Sequence, residues 1–307
     1  MEDIYKTDEQ QVRDLEFLIN EERSGFAKFF KNFHLYNLIV MIAVLIIITL
    51  SVILLFPLGE LGMGLALAII ITLLVGVIVY SKLMKRYTNN RGNTYMAFYY
   101  KHISDYVYGD LNLKDYQQDI GLQMTFDDFF DAKILKDITS AGSRNLVTYK
   151  LNKYDIKIAD YAAYKQEGKQ NQLVFVGKLM TVEGVKAPKG RVLIYRRPSA
   201  EAIKEAVGPT EVEGLSLTLE DSDLLVYTEQ EEDKKFLSKK VLDQLRGFPQ
   251  GLPFIDMTLS FIGSKLTIAL SYNDDLMVIP LPVPFVGEAT RIFKTNIEAI
   301  HQFIQLL

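Results

Sequence analysis

An α+β fold is predicted: a two-helix transmembrane hairpin joined to a cytoplasmic domain in which a mainly antiparallel sheet is packed by helices. Three observations predict it. Two charge-free apolar runs lie close together, short segments alternate apolar and polar residues around a Gly-Ser turn, and the chain ends on apolar residues at helical spacing. The expected divisions are an N-terminal amphipathic cytoplasmic helix over 1–34, the hairpin over 35–83 with spans of about 37–56 and 62–81, and the α+β domain over 84–307.

The first element is carried by Val12, Leu15, Leu18 and Ile19, which share one helical face while charged residues occupy the other. It runs toward a stretch, Leu35 to Gly59, that contains no charged residue. Glu60 interrupts, and a second charge-free run extends from Leu61 to Ser81. Each run reaches the roughly 20 residues needed to cross a hydrocarbon core of about 30 Å. Buried core helices are rarely apolar all round for five turns, which argues against a soluble pair. A cleaved leader is not expected, because the first run starts after a long charged segment and no small-residue cleavage site follows. Pro57, Gly59, Gly62 and Gly64 mark the connection as a turn, so the spans should be antiparallel neighbours.

Orientation follows from the flanks. Arg23, Lys28 and Lys31 precede the first span, and Lys82, Lys85, Arg86 and Arg91 follow the second, while the loop holds only Glu60. Both termini are therefore expected in the cytoplasm. Phe26, Phe29, Phe30, Phe33, Tyr36, Tyr80 and Tyr87 read as interfacial aromatics. In the second span Gly64, Ala68, Thr72 and Gly76 recur every fourth residue, a stripe that lets another helix approach closely. Packing against the first span is the plainer use of that stripe, and self-association into a homo-oligomer is the sharper one.

Beyond the spans, Thr94 is expected to cap a helix reaching about Tyr108. Tyr154, Ile156 and Ile158 alternate with Asp155 and Lys157 as in a half-buried strand. Leu173 to Val182 is nearly continuous apolar sequence around Gly177, as in a strand covered on both faces. Val192 to Tyr195, Leu215 to Leu219 and Leu224 to Tyr227 supply three more strands. Thr228 and Glu231 fit a capping box for a helix with Leu237, Val241, Leu242 and Leu245, stopped by Gly247. Leu259 and Phe261 lead into Gly263-Ser264, and Leu266, Ile268 and Leu270 lead out, a hairpin with a two-residue turn. Pro280, Pro282 and Pro284 close the strands, and a last helix from about Gly287 to Leu307 sets Phe293, Ile297, Ile300, Ile304 and Leu307 on one face.

Several stretches, in order, resemble a bacterial membrane-protein family known as domain of unknown function family 3137. Phe126 to Tyr164 is similar to its aromatic-rich segment leading into paired strands, and LVFVGKLMTVEG, Leu173 to Gly184, is similar to its core strand, followed by RVLIYRR. Asp223 to Phe248 resembles a strand-then-helix signature, and LSFIGSKLTIAL, Leu259 to Leu270, its closing hairpin. Val176 stands where a basic residue is expected. The resemblance implies a bacterial plasma-membrane location, where the two spans make the protein multi-pass, with a LemA-family envelope protein as candidate partner. It implies no activity and no catalytic residues.

The chemistry on offer is sparse. The chain of 307 residues carries a formal charge of −4, which argues against a nucleic-acid partner. The absence of cysteine excludes disulfides, thiolate metal sites and Cys nucleophiles. No phosphate-binding loop, nucleophile elbow or zinc helix is present. His34, His102 and His301 lack the spacing of a ligand set and read as structural or solvated, and no cofactor is implied. Asp127, Asp128 and Asp131 read as helix-start carboxylates before they read as an acid pair or a metal site. Lys186, Lys189, Arg191, Arg196 and Arg197 surround one strand, either as a solvated basic edge or as contacts to an anion or a lipid headgroup. Lys82, Lys85, Arg86 and Arg91 are expected to touch anionic lipid. The pattern points to a membrane-anchored, non-enzymatic binding or scaffold protein. A small-molecule or anionic-lipid handling domain and a subunit of an oligomeric membrane assembly are the alternatives.

Overall fold

The structure, a computed structural model, describes residues 7–111, 113–135, 137–168, 170–196, 214–248, 254–272 and 284–307. It divides into two units, Met1–Val12 with His102–Ile279 and Val286–Leu307, and Arg13–Lys101 with Pro280–Phe285.

From Asp8 to Tyr108 the backbone is helical for 101 residues with no open linker, which corrects the expectation of separate helices joined by a loop. The run consists of α1 (Asp8–Leu55), a 3-10 turn (Phe56–Leu58) and α2 (Gly59–Tyr108). Pro57 sits at the start of the 3-10 turn, where its missing N–H costs nothing. Gly59 then adopts φ 64° and ψ −143°, a conformation closed to side chains, and this single residue replaces a loop. At Gly62 a Cβ would lie 1.9 Å from the Leu55 carbonyl oxygen, so only glycine fits where the arms part.

The arms touch along their length. Tyr80 donates its hydroxyl to Asn37 Oδ1 at 2.9 Å, although 43 residues separate them. A straight helix would hold them about 65 Å apart. Phe26 stacks on Tyr95 at 4.7 Å between centroids, and Phe29 meets Tyr87 at 5.7 Å. Of the aromatics read as interfacial, Phe26, Phe29, Tyr80 and Tyr87 also make contacts between the arms. Thr94 opens no helix. It lies inside α2, where its hydroxyl donates to the Asn90 carbonyl at 2.9 Å. Val12, Leu15 and Ile19 are buried as their spacing predicts, but Leu18 is exposed.

Among the described residues nine strands form one antiparallel sheet in the order β1-β2-β3-β4-β9-β8-β5-β7-β6. They are β1 (Lys114–Asp119), β2 (Ile138–Leu151), β3 (Tyr154–Glu167), β4 (Gln170–Glu183), β5 (Val192–Arg196), β6 (Ser216–Glu220), β7 (Leu224–Thr228), β8 (Phe254–Ile262) and β9 (Lys265–Tyr272). With α3 (Phe126–Phe130), α4 (Lys239–Arg246) and α5 (Glu288–Gln305) this is the α+β architecture that the patterning predicts. Gly263, with φ 56°, turns β8 into β9 so that Ile262 faces Lys265. Pro280 and Pro282 lie outside the described residues.

Pairing fixes which residues share a face. Tyr149, Ile156, Val182, Leu266, Phe261 and Val192 stand opposite one another across six strands, and α5 lies over this face through Phe293 and His301. The other face is closed by α3, whose Phe129 packs 5.2 Å from both Tyr161 and Phe175. The capping box at Thr228 and Glu231 does not form. Thr228 ends β7, Glu231–Lys235 is a 3-10 turn, and Ser238 caps α4 by accepting from the Val241 N–H. The cause is Asp233, whose carboxylate accepts the N–H groups of Lys189 and Gly190 at 2.8 Å each and pins the turn to the entry of β5.

Candidate functional site

The most unusual surface is the middle of the two arms. The most apolar 18-residue window has a mean hydropathy of 3.4 and none of it is buried. Leu38, Ile46, Leu54, Leu61, Leu67 and Ile78 are each at least half exposed. Water would penalise such a surface at roughly 25 cal/mol for every Å² left uncovered. The few hydroxyls in this band turn inward on their own helix: Thr49 donates to Leu45 O at 2.9 Å, Ser51 to Ile47 O at 2.7 Å and Thr72 to Ala68 O at 2.9 Å. These hydroxyls need no water, as hydrocarbon requires of a spanning helix.

The small-residue stripe lies on the far side of α2. Gly64, Ala68, Thr72 and Gly76 are exposed, and a Cβ added at Gly64 or Gly76 would meet nothing within 4 Å. Packing of the stripe against the first span is therefore corrected. Gly62 and Ala66, in the apolar part of α2, are buried instead, because the tight turn fixes which side of α2 faces α1. Lys82, Lys85 and Arg86 are exposed just beyond the apolar band, and Arg91 lies 5.7 Å over the Phe29 ring. His34 is exposed at the start of the band.

The basic strand residues do not converge. Lys186 is exposed, and the Lys189 ammonium pairs with Glu232. Arg191 donates through Nη2 to the Lys133 carbonyl, and its N–H bonds Glu229 at 2.8 Å. Arg197 lies outside the described residues. The strand itself, β5, runs between β8 and β7, so the reading of a basic edge strand is corrected. Arg196 is 1% exposed and donates through Nη2 to the carbonyls of Phe248 at 2.7 Å and Arg246 at 3.4 Å. Its guanidinium thus caps the C-terminal end of α4, where unpaired carbonyls favour a cation. Burial lowers its pKa from the usual arginine value, with Asp223 acting against that.

The sheet interior holds polar chemistry that the sequence reading passed over. Asp160 on β3 and Lys178 on β4 stand directly opposite each other and form an ion pair, with Asp160 1% exposed. The Lys178 ammonium also sits 4.8 Å over the Phe293 ring of α5. The same cross-strand row continues through Leu270 and Met257 to Arg196, so one row carries three buried charges. Two turns along α5 from Phe293, His301 Nε2 lies 2.7 Å from the Tyr149 hydroxyl, and burial pushes the imidazole down to about 4. Asp256, at the start of β8, is pushed up to about 6 by burial despite a hydrogen bond from Ser271. A charged residue inside otherwise apolar strand sequence, IADYAAY and VFVGKLM, was the signal for the ion pair.

Asp128 closes the capping box with Thr125 and pairs with Lys265 at 3.1 Å. Burial works against its charge, but the Thr125 N–H and hydroxyl and the Lys265 ammonium overrule it and hold the carboxyl below the usual range. Asp127 and Asp128 are thus helix-start groups, whereas Asp131 lies at the C-terminal end of α3, which corrects its reading as one of them. Among the described residues no three His, Asp or Glu side chains are grouped to hold a metal ion. No protein family, curated protein or solved structure matches the chain, and the resemblance given above rests on its residues alone.

Proposed function

We propose that this chain is a membrane-anchored binding or scaffold protein, held in the bacterial plasma membrane by α1 and α2 as a transmembrane hairpin with both termini cytoplasmic. The observation that carries the reading is the apolar band on both arms, uncovered by any described part of the chain and lacking unpaired hydroxyls. The sheet domain serves recognition in this reading, because its buried charges are committed to holding strands and helices together. The resemblance makes a LemA-family envelope protein the first partner to test. The outward stripe of Gly64, Ala68, Thr72 and Gly76 favours a second reading, a subunit of an oligomeric membrane assembly.

The absence of cysteine makes the topology directly testable. Glu60→Cys is expected to react with a membrane-impermeant maleimide on intact cells, and Gln10→Cys and Gln305→Cys only after lysis. The opposite labelling pattern would overturn the orientation. Recovery of the protein in the soluble fraction without detergent would overturn the anchor. Capture of a LemA-family protein from mild detergent supports the binding role, and its consistent absence counts against that partner.

A further inference from the structure

The cations flanking the apolar band form a collar with no acid to balance it. From Arg23 to Ser104 the sequence holds one acidic residue, Glu60, and that lies at the opposite end of the band. Lys28 and Lys31 on α1, with Lys82, Lys85 and Arg86 on α2, are all exposed. The contacts between the arms set their heights. Asn37 lies level with Tyr80 and Phe29 with Tyr87, so Lys31 falls beside Arg86 and Lys85, and Lys82 lies near the start of the α1 band. At a rise of 1.5 Å per residue the five cations occupy a slice about 10 Å thick. Some exposed cations elsewhere pair with carboxylates, as Lys150 does with Asp115 and Asp155, Lys234 with Glu231 and Arg291 with Glu288, while Lys114, Lys157 and Lys186 are exposed without an ion pair among the described residues. Among the described residues these five make no ion pair.

We infer that this collar is a binding site for the phosphate headgroups of anionic lipids, drawn from the leaflet into which the arms enter. The inference rests on the proposed membrane insertion. Five ammonium and guanidinium groups at one depth, beside hydrocarbon-exposed leucine and isoleucine, match a ring of phosphates whose acyl chains lie along the arms. A collar serving orientation alone needs positive charge on the correct side of the membrane. It does not need both helices to bring their cations to one level in a stretch, 23–104, whose one acid lies at the far end of the band. Because the attraction is electrostatic and partly screened, it weakens as salt rises.

The test uses the full-length protein reconstituted in phosphatidylcholine bilayers containing a trace of spin-labelled phosphatidylglycerol or spin-labelled phosphatidylcholine. The fraction of each lipid immobilised at the protein is read by electron paramagnetic resonance. The native chain is expected to immobilise the anionic lipid at least twofold over the zwitterionic one. The variant Lys28→Gln, Lys31→Gln, Lys82→Gln, Lys85→Gln, Arg86→Gln should bring the ratio to one with the zwitterionic fraction unchanged, whereas Arg86→Lys alone should retain the selectivity. Equal immobilisation of both lipids by the native chain would overturn the collar while leaving the anchor intact. Selectivity that survives in the five-fold variant would also overturn it. Immobilisation of neither lipid would instead sink the membrane reading on which the inference stands.

Discussion

The helical arms and the sheet domain draw on the same residues, Leu, Ile, Val and Phe, and use them in opposite directions. In the arms the apolar side chains point outward, and contact between α1 and α2 depends on rings and small groups: Phe26 on Tyr95, Tyr80 on Asn37, and Gly62 beneath Leu55. In the domain Ile156, Ile158, Leu179, Leu193, Leu259, Leu266 and Ile268 are inside, and three charges lie with them in one row of the sheet. The difference teaches where each region keeps its specificity. If the arms span a membrane as proposed, apolar contact cannot distinguish a helix neighbour from acyl chains, and close approach and hydrogen bonds must hold the arms together. In the domain burial supplies the drive, and the charged row restricts which register can form, because a slip of one residue would turn Asp160 and Lys178 to the opposite face.

The largest effect expected from breaking this contrast comes from that row. Lys178→Met leaves Asp160 buried and uncompensated, and it should cost about 3–5 kcal/mol of domain stability. In the detergent-solubilised protein this appears as a drop in unfolding temperature of roughly 10 °C. Adding Asp160→Leu to Lys178→Met should recover most of the loss, since an apolar pair of similar volume removes the stranded charge. Failure of the double variant to recover would mean that the pair does more than neutralise itself.

A smaller effect concerns pH, where two buried groups oppose each other. His301 titrates at about 4 in the folded protein, below its ordinary 6.5. The unfolded chain therefore takes up its proton first, and the contribution of His301 is complete above pH 6.5 and lost as pH falls toward 4. Asp256 is raised from 3.8 to about 6, so its burial is harmless below pH 3.8 and costs stability as pH rises toward 6. Each spans at most about 3 kcal/mol, and between pH 4 and 6 they nearly cancel. Stability measured by urea unfolding should be almost level there in the native chain. It should fall with rising pH in His301→Gln and rise with pH in Asp256→Asn. Parallel curves for the native chain and both variants would show that neither group is linked to folding.

Much of the fold was legible because periodicity reports burial. Ile156, Ile158, Leu266, Ile268 and Leu270 alternate and all lie inside, and Gly263 turns the hairpin that its neighbours announce. What the sequence concealed depends on distant partners. Ser238 rather than Thr228 caps α4 because Asp233 is held by backbone groups forty-three and forty-four residues earlier. Arg196 looked like a surface cation among Lys189 and Arg191 until pairing with β8 and β7 placed it inside. Asp160 and Lys178 are each a lone charge in their strands, and only the register makes them a pair. In the arms the apolar runs were plain, but the side of α2 that meets α1 is set by three residues of turn geometry that no periodicity carries.

The smallest and sharpest comparison lies between two glycines of α2 only two residues apart, Gly62 and Gly64. Gly62→Leu forces a side chain into the Leu55 carbonyl and should splay the arms, at a cost of about 1–3 kcal/mol or more. Gly64→Leu and Gly76→Leu place side chains in open space and should leave the arms as they are. Spin labels on Lys31→Cys and Arg86→Cys read the outcome: a short, narrow distance distribution in the native background and in Gly64→Leu/Gly76→Leu, and a broad one in Gly62→Leu. If the outward pair also broadened the distribution, the stripe would be packed against α1 after all. The solubilised mass of the same outward pair decides the oligomer reading, because leucines on that face should separate copies that associate through it, whereas an unchanged mass would leave the stripe facing lipid.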